Sequence, residues 1–77
     1  MEGKVIYINE KIGNFALSTK KGKCTICNAS NIKDVKFGDT IEFDNEHGGY
    51  YFHNSRTERF IASVVYLDIN INQCEYY

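Results

Sequence analysis

Several common features are missing from this 77-residue sequence, and their absence excludes whole classes of protein. No run of about 18 apolar residues is present, which excludes a membrane-spanning helix. The first ten residues, MEGKVIYINE, lack the apolar core of a signal peptide. Proline, internal repeats and low-complexity segments are absent as well. The length predicts a single domain over residues 1–70 with a frayed tail over residues 71–77, in a cytoplasmic protein that contacts no membrane.

Cysteine is scarce, and its number is odd. Three cysteines do not fit a disulfide framework, and they suit a reducing compartment. Cys24 and Cys27 have the C-x-x-C spacing of a zinc knuckle or a redox motif. On a strand, however, residues three apart point to opposite faces, and His47, His53 and Cys74 offer no second ligand pair. We therefore expect the cysteines to fill space as small apolar side chains, with no metal and no cofactor bound.

Long helical periodicity is missing, and short runs of β-branched and aromatic residues predict an all-β fold. The predicted strands are Lys4–Asn9, Asn14–Thr19, Cys24–Asn28, Thr40–Asp44, Tyr50–Asn54 and Arg59–Asp68. A tight turn is predicted around Gly22, which can adopt a positive φ. Ser30 or Asn31 is predicted to cap a single helical turn that ends at Asp34.

The alternation within the strands predicts which side chains are buried. The segment Thr40–Asp44 has the clearest period of two residues. In the first strand we expect Val5 and Tyr7 on one face and Ile6 and Ile8 on the other. The predicted core residues are Val5, Phe15, Leu17, Ile41 and Phe43.

Three consecutive segments resemble the successive strands of a bacterial cold-shock domain. They are GKVIYINEKIGNFALST, KGKCTICNASNI and VKFGDTIEF, and they lie within residues 3–44. Gly13, Gly22, Gly38 and Phe43 stand where that family has its own glycines and a core residue. The resemblance implies an antiparallel OB-type β-barrel that binds single-stranded nucleic acid. With the further strands after residue 45, we predict a small cold-shock-like barrel of five to six strands.

The two base-stacking motifs of that family are changed in this sequence. The motif similar to K-G-F-G-F stands here as IGNFA, so that Asn14 and Ala16 replace two aromatic residues. The motif similar to V-F-V-H-F stands as TICNA, without its aromatic residues or its histidine. Tyr7, at the family's tryptophan position, keeps an aromatic ring. Because stacking contributes about 1 to 3 kcal/mol per base, we expect any binding of nucleic acid to be weak.

Charge is divided unevenly between the two halves of the chain. Residues 1–36 carry a net charge of +4 and residues 37–77 carry −5, for a total of −1. A chain polarised in this way can present one basic face. The first functional hypothesis is therefore a non-enzymatic OB-fold module that binds single-stranded DNA or RNA weakly. Its candidate contact residues are Lys4, Tyr7, Lys20, Lys21 and Lys23.

The second hypothesis is a protein-interaction or structural barrel that has lost nucleic-acid binding. Its basis is the acidic, aromatic segment Tyr50–Leu67, which is predicted to form a hairpin. At strand spacing, Tyr50 and Phe52 share one face and Tyr51 and His53 share the other. The candidate interface residues, for another protein or a second copy, are Tyr50, Tyr51, His53 and Tyr66. No paired carboxylates, no nucleophile with a base and no cofactor fingerprint appear, so we do not expect an enzyme.

Overall fold

A computed structural model of the chain describes residues 2–44, 51–61 and 63–76. The strands are β1 (Glu2–Asn9), β2 (Asn14–Lys20), β3 (Lys23–Ala29), β4 (Thr40–Asp44), β5 (Tyr51–Asn54), β6 (Arg59–Phe60) and β7 (Ser63–Asn70). A 3₁₀ helix at Ile32–Asp34 lies between β3 and β4, and a second one follows β7 at Ile71–Tyr76. The predicted all-β class is confirmed.

The seven strands form one antiparallel sheet in the order β6-β5-β4-β1-β2-β3-β7. Strands β1, β2 and β3 form a meander, and β4 returns to pair with β1. This neighbour order, 4-1-2-3, is that of a Greek key. The sheet has more strands than the five to six predicted, and within the described residues its order runs from β6 at one end to β7 at the other. The predicted closure into a barrel is not confirmed.

The long strand predicted over Arg59–Asp68 is divided in the structure. Strand β5 has four residues, and β6 adds only two residues beside it. The N–H of Ile61 then donates to the carbonyl of Phe52 at 2.9 Å, and the chain crosses to the far end of the sheet. There β7 pairs with β3 over seven residue pairs. This ladder is longer than any that the four-residue strand β5 could form. The prediction of a single hairpin over Tyr50–Leu67 is therefore wrong beyond Phe60.

Two local signals in the sequence are confirmed. Gly22 adopts a φ of 75° in the turn between β2 and β3, a conformation that costs glycine little because it has no Cβ. The side chain of Asn31 caps the first 3₁₀ helix, since its Oδ1 accepts a hydrogen bond of 3.3 Å from the N–H of Lys33. Both signals depend on neighbouring residues only, which is why the sequence could predict them.

A β-bulge at Ile6 changes the faces that were predicted for β1. Val5 pairs with Leu17, whereas Tyr7 pairs with Ala16, so β1 advances by two residues while β2 advances by one. The extra residue reverses the alternation, and Val5 and Ile8 face the main core. Ile6 and Tyr7 lie together on the other face. The predicted pairing of Val5 with Tyr7 on one face is therefore wrong.

The main core lies on one face of the sheet and includes all five predicted core residues. Three phenylalanines meet at its centre: the rings of Phe43 and Phe52 are stacked with centroids 5.5 Å apart, and Phe15 meets Phe52 edge-on at 6.5 Å. Phe52 is 1% exposed. The buried members of this core are Val5, Phe15, Leu17, Cys27, Ala29, Val35, Ile41, Phe43, Phe52 and Ile61.

A second, smaller apolar cluster lies on the opposite face, which we call the outer face. Its buried members are Ala16, Cys24, Ile26 and Cys74, and the partly buried Ile6, Tyr7 and Ile69 pack against them. Cys24 and Cys27 do face opposite sides of β3, as alternation predicts, but both are fully buried because both faces are covered.

The cysteines of the outer face are joined in a disulfide between Cys24 and Cys74. The expectation that the cysteines are only unpaired space-filling residues is therefore wrong for these two. The cause is the pairing of β7 with β3, which sets Ile69 opposite Cys24 and brings the chain back to that point five residues before Cys74. The segment that was expected to fray accordingly forms a 3₁₀ helix with Cys74 buried.

Candidate binding surfaces

The candidate lysines lie at one end of the sheet. Lys4 is exposed on the outer face of β1, opposite Ser18 and Thr40. Lys21 and Lys23 are exposed at the β2–β3 turn. The ammonium group of Lys23 donates to Oδ1 of Asn70 at 2.9 Å, so part of its hydrogen-bonding capacity is used within the chain.

Lys20 and two acidic residues, Glu2 and Glu42, also lie at this end of the sheet. Lys20 pairs with Lys23, although its side chain lies outside the described part of the structure. Glu2 and Glu42 face each other directly across β1 and β4, on the same side of the sheet as Lys4. Two carboxylates so close to Lys4 reduce the positive potential that a phosphate backbone would require.

Tyr7 is half-buried on the outer face. Its ring packs against the cluster that contains Ala16, Ile26 and the disulfide of Cys24 with Cys74. A ring that is covered in this way offers little open face for a base to stack on. The structure thus brings Tyr7 and Lys4 to the same face but packs Tyr7 against apolar side chains.

The candidate interface residues are described only in part. Tyr50 lies outside the described residues. Tyr51 pairs with Asp44 in β5, and Tyr66 lies in β7, but the side chains of both lie outside the described part of the structure. His53 is half-buried and points away from the core, whereas its neighbour Phe52 faces the core. The predicted opposition of positions 52 and 53 is therefore confirmed.

An exposed aromatic residue that the sequence analysis did not select lies next to His53. Phe60 on β6 pairs with His53, and their rings meet at 65° with centroids 5.3 Å apart. Phe60 is nevertheless 67% exposed. The neighbouring strand places Glu42 opposite His53. An aromatic pair at a sheet edge with most of one ring in solvent is a surface suited to contact with another molecule.

A pocket of about 270 Å³ lies beside Phe60. Its lining residues are Asp34, Thr57, Arg59, Phe60 and Ile61. Pockets for cofactors and drug-sized ligands usually have about 300 to 1,000 Å³, so this pocket is slightly smaller than that range. We call Phe60, His53 and this pocket the hairpin surface, because most of it belongs to β5, β6 and their turn.

A buried polar network fixes the turn that builds the hairpin surface. The carboxylate of Asp39 accepts hydrogen bonds from the N–H of Lys36 at 2.8 Å, from Nδ2 of Asn54 at 2.8 Å and from Nε of Arg56 at 2.6 Å. Asn54 is fully buried; its Nδ2 also donates to the carbonyl of Asp34 at 3.1 Å, and its Oδ1 accepts from the N–H of Arg56 at 2.9 Å. The network therefore ties the β5–β6 turn to the first 3₁₀ helix, on the two sides of the pocket.

The charges in this network shift the pKa values of its ionisable groups. Burial alone would raise the pKa of Asp39, but hydrogen bonds from Arg56, Asn54 and Lys36, together with the positive charge of Arg56, lower it overall. The hydrogen bond to Asp39 raises the pKa of Arg56. Sequence analysis missed this network because its members are 15 and 17 residues apart and match no motif.

Cys27 is buried in the main core and does not take part in the disulfide. Burial, and to a lesser extent the charge of Asp68, raises the pKa of its thiol to about 12. A thiol with so high a pKa is not an activated nucleophile. Among residues 2–44, 51–61 and 63–76, no three histidine, cysteine or acidic side chains are placed to share a metal ion.

No protein-family model matches the chain, and no curated protein or solved structure matches it. Within the described residues, no helix has the length and apolar character needed to cross a membrane.

Proposed function

We propose that this chain is a small non-enzymatic binding module of the OB type, and that its partner is another protein bound at the hairpin surface. The observation that carries the proposal is the contrast between the two candidate surfaces. Phe60 is largely exposed beside a pocket, whereas Tyr7 is half-buried and packs against an apolar cluster.

Two observations support the OB-type, cold-shock-like fold. The strand order β4-β1-β2-β3 is a Greek key, and OB folds are five-stranded, partly open Greek-key barrels. The short 3₁₀ helix lies between β3 and β4, within the stretch of the chain that resembles the cold-shock domain. In this proposal, β5, β6 and β7 are the elements that depart from the cold-shock pattern.

The composition of the hairpin surface supports a protein partner. Aromatic residues and arginine are enriched in the centres of protein interfaces, where they account for much of the binding energy. The surface combines Phe60 and Arg59 of β6, and Arg56 lies in the turn between β5 and β6. The Asp39 network holds that turn before any partner arrives, which lowers the entropic cost of binding.

The residues at the family's stacking positions support a protein partner over nucleic acid. Asn14, Ala16, Ile26 and Ala29 stand at the positions of the aromatic residues, and each is at most 6% exposed. Small or buried side chains cannot stack on bases. The remaining aromatic position, Tyr7, is half-buried.

The cellular location is a separate part of this proposal. The odd number of cysteines favours the cytoplasm, and the disulfide between Cys24 and Cys74 favours a compartment that is at least at times oxidising. The protein-binding proposal is compatible with either location.

The proposal can be tested with peptides selected from a random displayed library against the folded chain. Phe60→Ser should weaken the binding of a selected peptide by about tenfold or more, because a hot-spot aromatic contributes about 2 kcal/mol or more. Ile12→Ser is the matched control, since Ile12 is also exposed, at 56%, but lies in the β1–β2 connection. Two results would contradict the proposal. One is an equal loss of peptide affinity in the two variants, and the other is that the peptide changes chemical shifts only on the outer face.

A further inference from the structure

The second 3₁₀ helix, Ile71–Tyr76, covers part of the outer face through Cys74. Of residues 71–74, whose side chains are described, only Cys74 is buried. The N–H of Ile71 donates to the carbonyl of Gly22 at 3.0 Å, and Lys23 contacts Asn70 just before the helix. Besides the peptide bond that continues the chain from Asn70, the disulfide to Cys24 is the covalent link between the described part of this segment and the sheet.

A six-residue 3₁₀ helix has little stability of its own. Its hydrogen-bond geometry is poorer than that of an α-helix, and runs longer than three or four residues are uncommon. With Ile71 44% exposed, the side chains described at positions 71–73 bury little apolar surface. Its position therefore depends mainly on the bond between Cys24 and Cys74.

We propose that the disulfide between Cys24 and Cys74 is a redox-controlled latch, which a dithiol reductant opens to release residues 71–76 from the outer face. This inference does not depend on the proposed protein partner, because the hairpin surface lies elsewhere on the sheet. The latch determines whether the apolar cluster around Tyr7 and Ile26 is covered or open to solvent.

The reaction is a thiol–disulfide exchange that consumes one dithiol. A thiolate of the reductant attacks Sγ of Cys74, the S–S bond breaks, and Sγ of Cys24 leaves as a thiolate that takes up a proton. The second thiol of the reductant then displaces Sγ of Cys74, which leaves as a thiol. The protein gains two electrons and two protons, and the reductant becomes a disulfide.

The main core does not depend on the latch. It lies on the opposite face, and Cys27 is its only described cysteine. Strand β3 stays paired with β2 and β7 through backbone hydrogen bonds that the reaction leaves intact. Since Cys24 is fully buried and Cys74 is 5% exposed, the reductant gains access through local opening of the segment.

The test is NMR of the isotopically labelled full chain before and after reduction with dithiothreitol. On reduction, residues 71–76 should lose order in heteronuclear NOE measurements, and their amide exchange should speed up by roughly tenfold or more. Chemical shifts should change at Tyr7, Ile26 and Ile69 but not at Phe15 or Ile41. Cys74→Ser without reductant should reproduce these changes.

A control variant and two outcomes make the test decisive. Cys27→Ala keeps the disulfide, so its residues 71–76 should stay ordered until reductant is added. If the segment of the reduced parent or of Cys74→Ser kept its order, the latch would be disproved. Loss of the folded-state spectrum across the whole chain on reduction would also disprove the latch, because the entire fold would then require the disulfide.

Discussion

Asp39 and Arg56 form an ion pair in which Nε of Arg56 donates to Oδ1 of Asp39 at 2.6 Å. The side chain of Asp39 is 4% exposed, whereas that of Arg56 is 43% exposed. The pair joins the residue that precedes β4 to the turn between β5 and β6. It therefore connects the central sheet to the hairpin surface, and it makes the stability of that region sensitive to pH.

The stability should fall in acid because the pKa of Asp39 is lowered in the folded chain. A carboxyl group with a lowered pKa stabilises the fold above its unfolded pKa of about 3.9, and this contribution is lost as the pH falls through the folded value. We predict that Asp39→Asn and Arg56→Gln reduce the acid dependence of the free energy of unfolding between about pH 5 and pH 2. Denaturant titrations at several pH values across that range measure the free energy of unfolding. Arg59→Gln, which leaves the ion pair intact, should behave like the parent.

Truncation of Phe52 should destabilise the fold strongly. It is 1% exposed and contacts both Phe43 and Phe15. We predict that Phe52→Ala and Phe43→Ala each lower the free energy of unfolding by about 3 to 5 kcal/mol in urea titrations. Phe60→Ala, at a 67% exposed position, is the control and should change it far less. A Phe52→Ala variant as stable as the control would show that the core is assigned wrongly.

Reversing the charge of Glu42 should stabilise the sheet. Glu2 and Glu42 are directly opposite each other on β1 and β4, and like charges in such cross-strand pairs are unfavourable. We predict that Glu42→Lys raises the free energy of unfolding by up to about 1 kcal/mol at low salt. Glu10→Lys changes the net charge equally at an exposed site away from this pair. If both variants raised the free energy of unfolding equally, the cause would be the change in net charge and not the pair of Glu2 with Glu42.

Cys27 should not react with alkylating reagents in the folded chain. Its pKa of about 12, raised by burial, leaves almost no thiolate at pH 8, and the side chain is fully buried. We predict no labelling by iodoacetamide under native conditions and one labelled thiol per chain in denaturant without reductant. That number follows because two of the three cysteines form the disulfide. Three labelled thiols would show that the disulfide is absent.

A mixed-sequence oligonucleotide should not bind through Tyr7 while the disulfide is closed. The ring is packed against the outer cluster, and the stacking positions around it are buried. We predict no chemical-shift change at Tyr7 when the oligonucleotide is added at low salt. If Tyr7 did stack on a base, Tyr7→Ala would weaken binding by about 1 to 3 kcal/mol. A salt slope near −2 with shifts at Lys4 and Lys21 would support the nucleic-acid hypothesis instead.

The candidate sites could be predicted from the sequence only in part. His53 was selected because alternation placed it opposite the buried Phe52, and the structure agrees. Phe60 was not selected, because its exposure depends on the early end of β6 and the departure of the chain towards β3. No motif in the sequence marks Asp39, because its contacts with Asn54 and Arg56 depend on the folded sheet.

The all-β class, the turn at Gly22 and the burial of core residues such as Val5 and Phe43 can be predicted from the sequence alone. Each of these follows from residues adjacent in the chain, because strand alternation and turn conformation are local properties. Two other features arise only in the folded sheet: the bulge at Ile6, and the disulfide between Cys24 and Cys74, which are 50 residues apart. These depend on which strands become neighbours, and strand pairing is set by the competition among all the ladders that the chain can form.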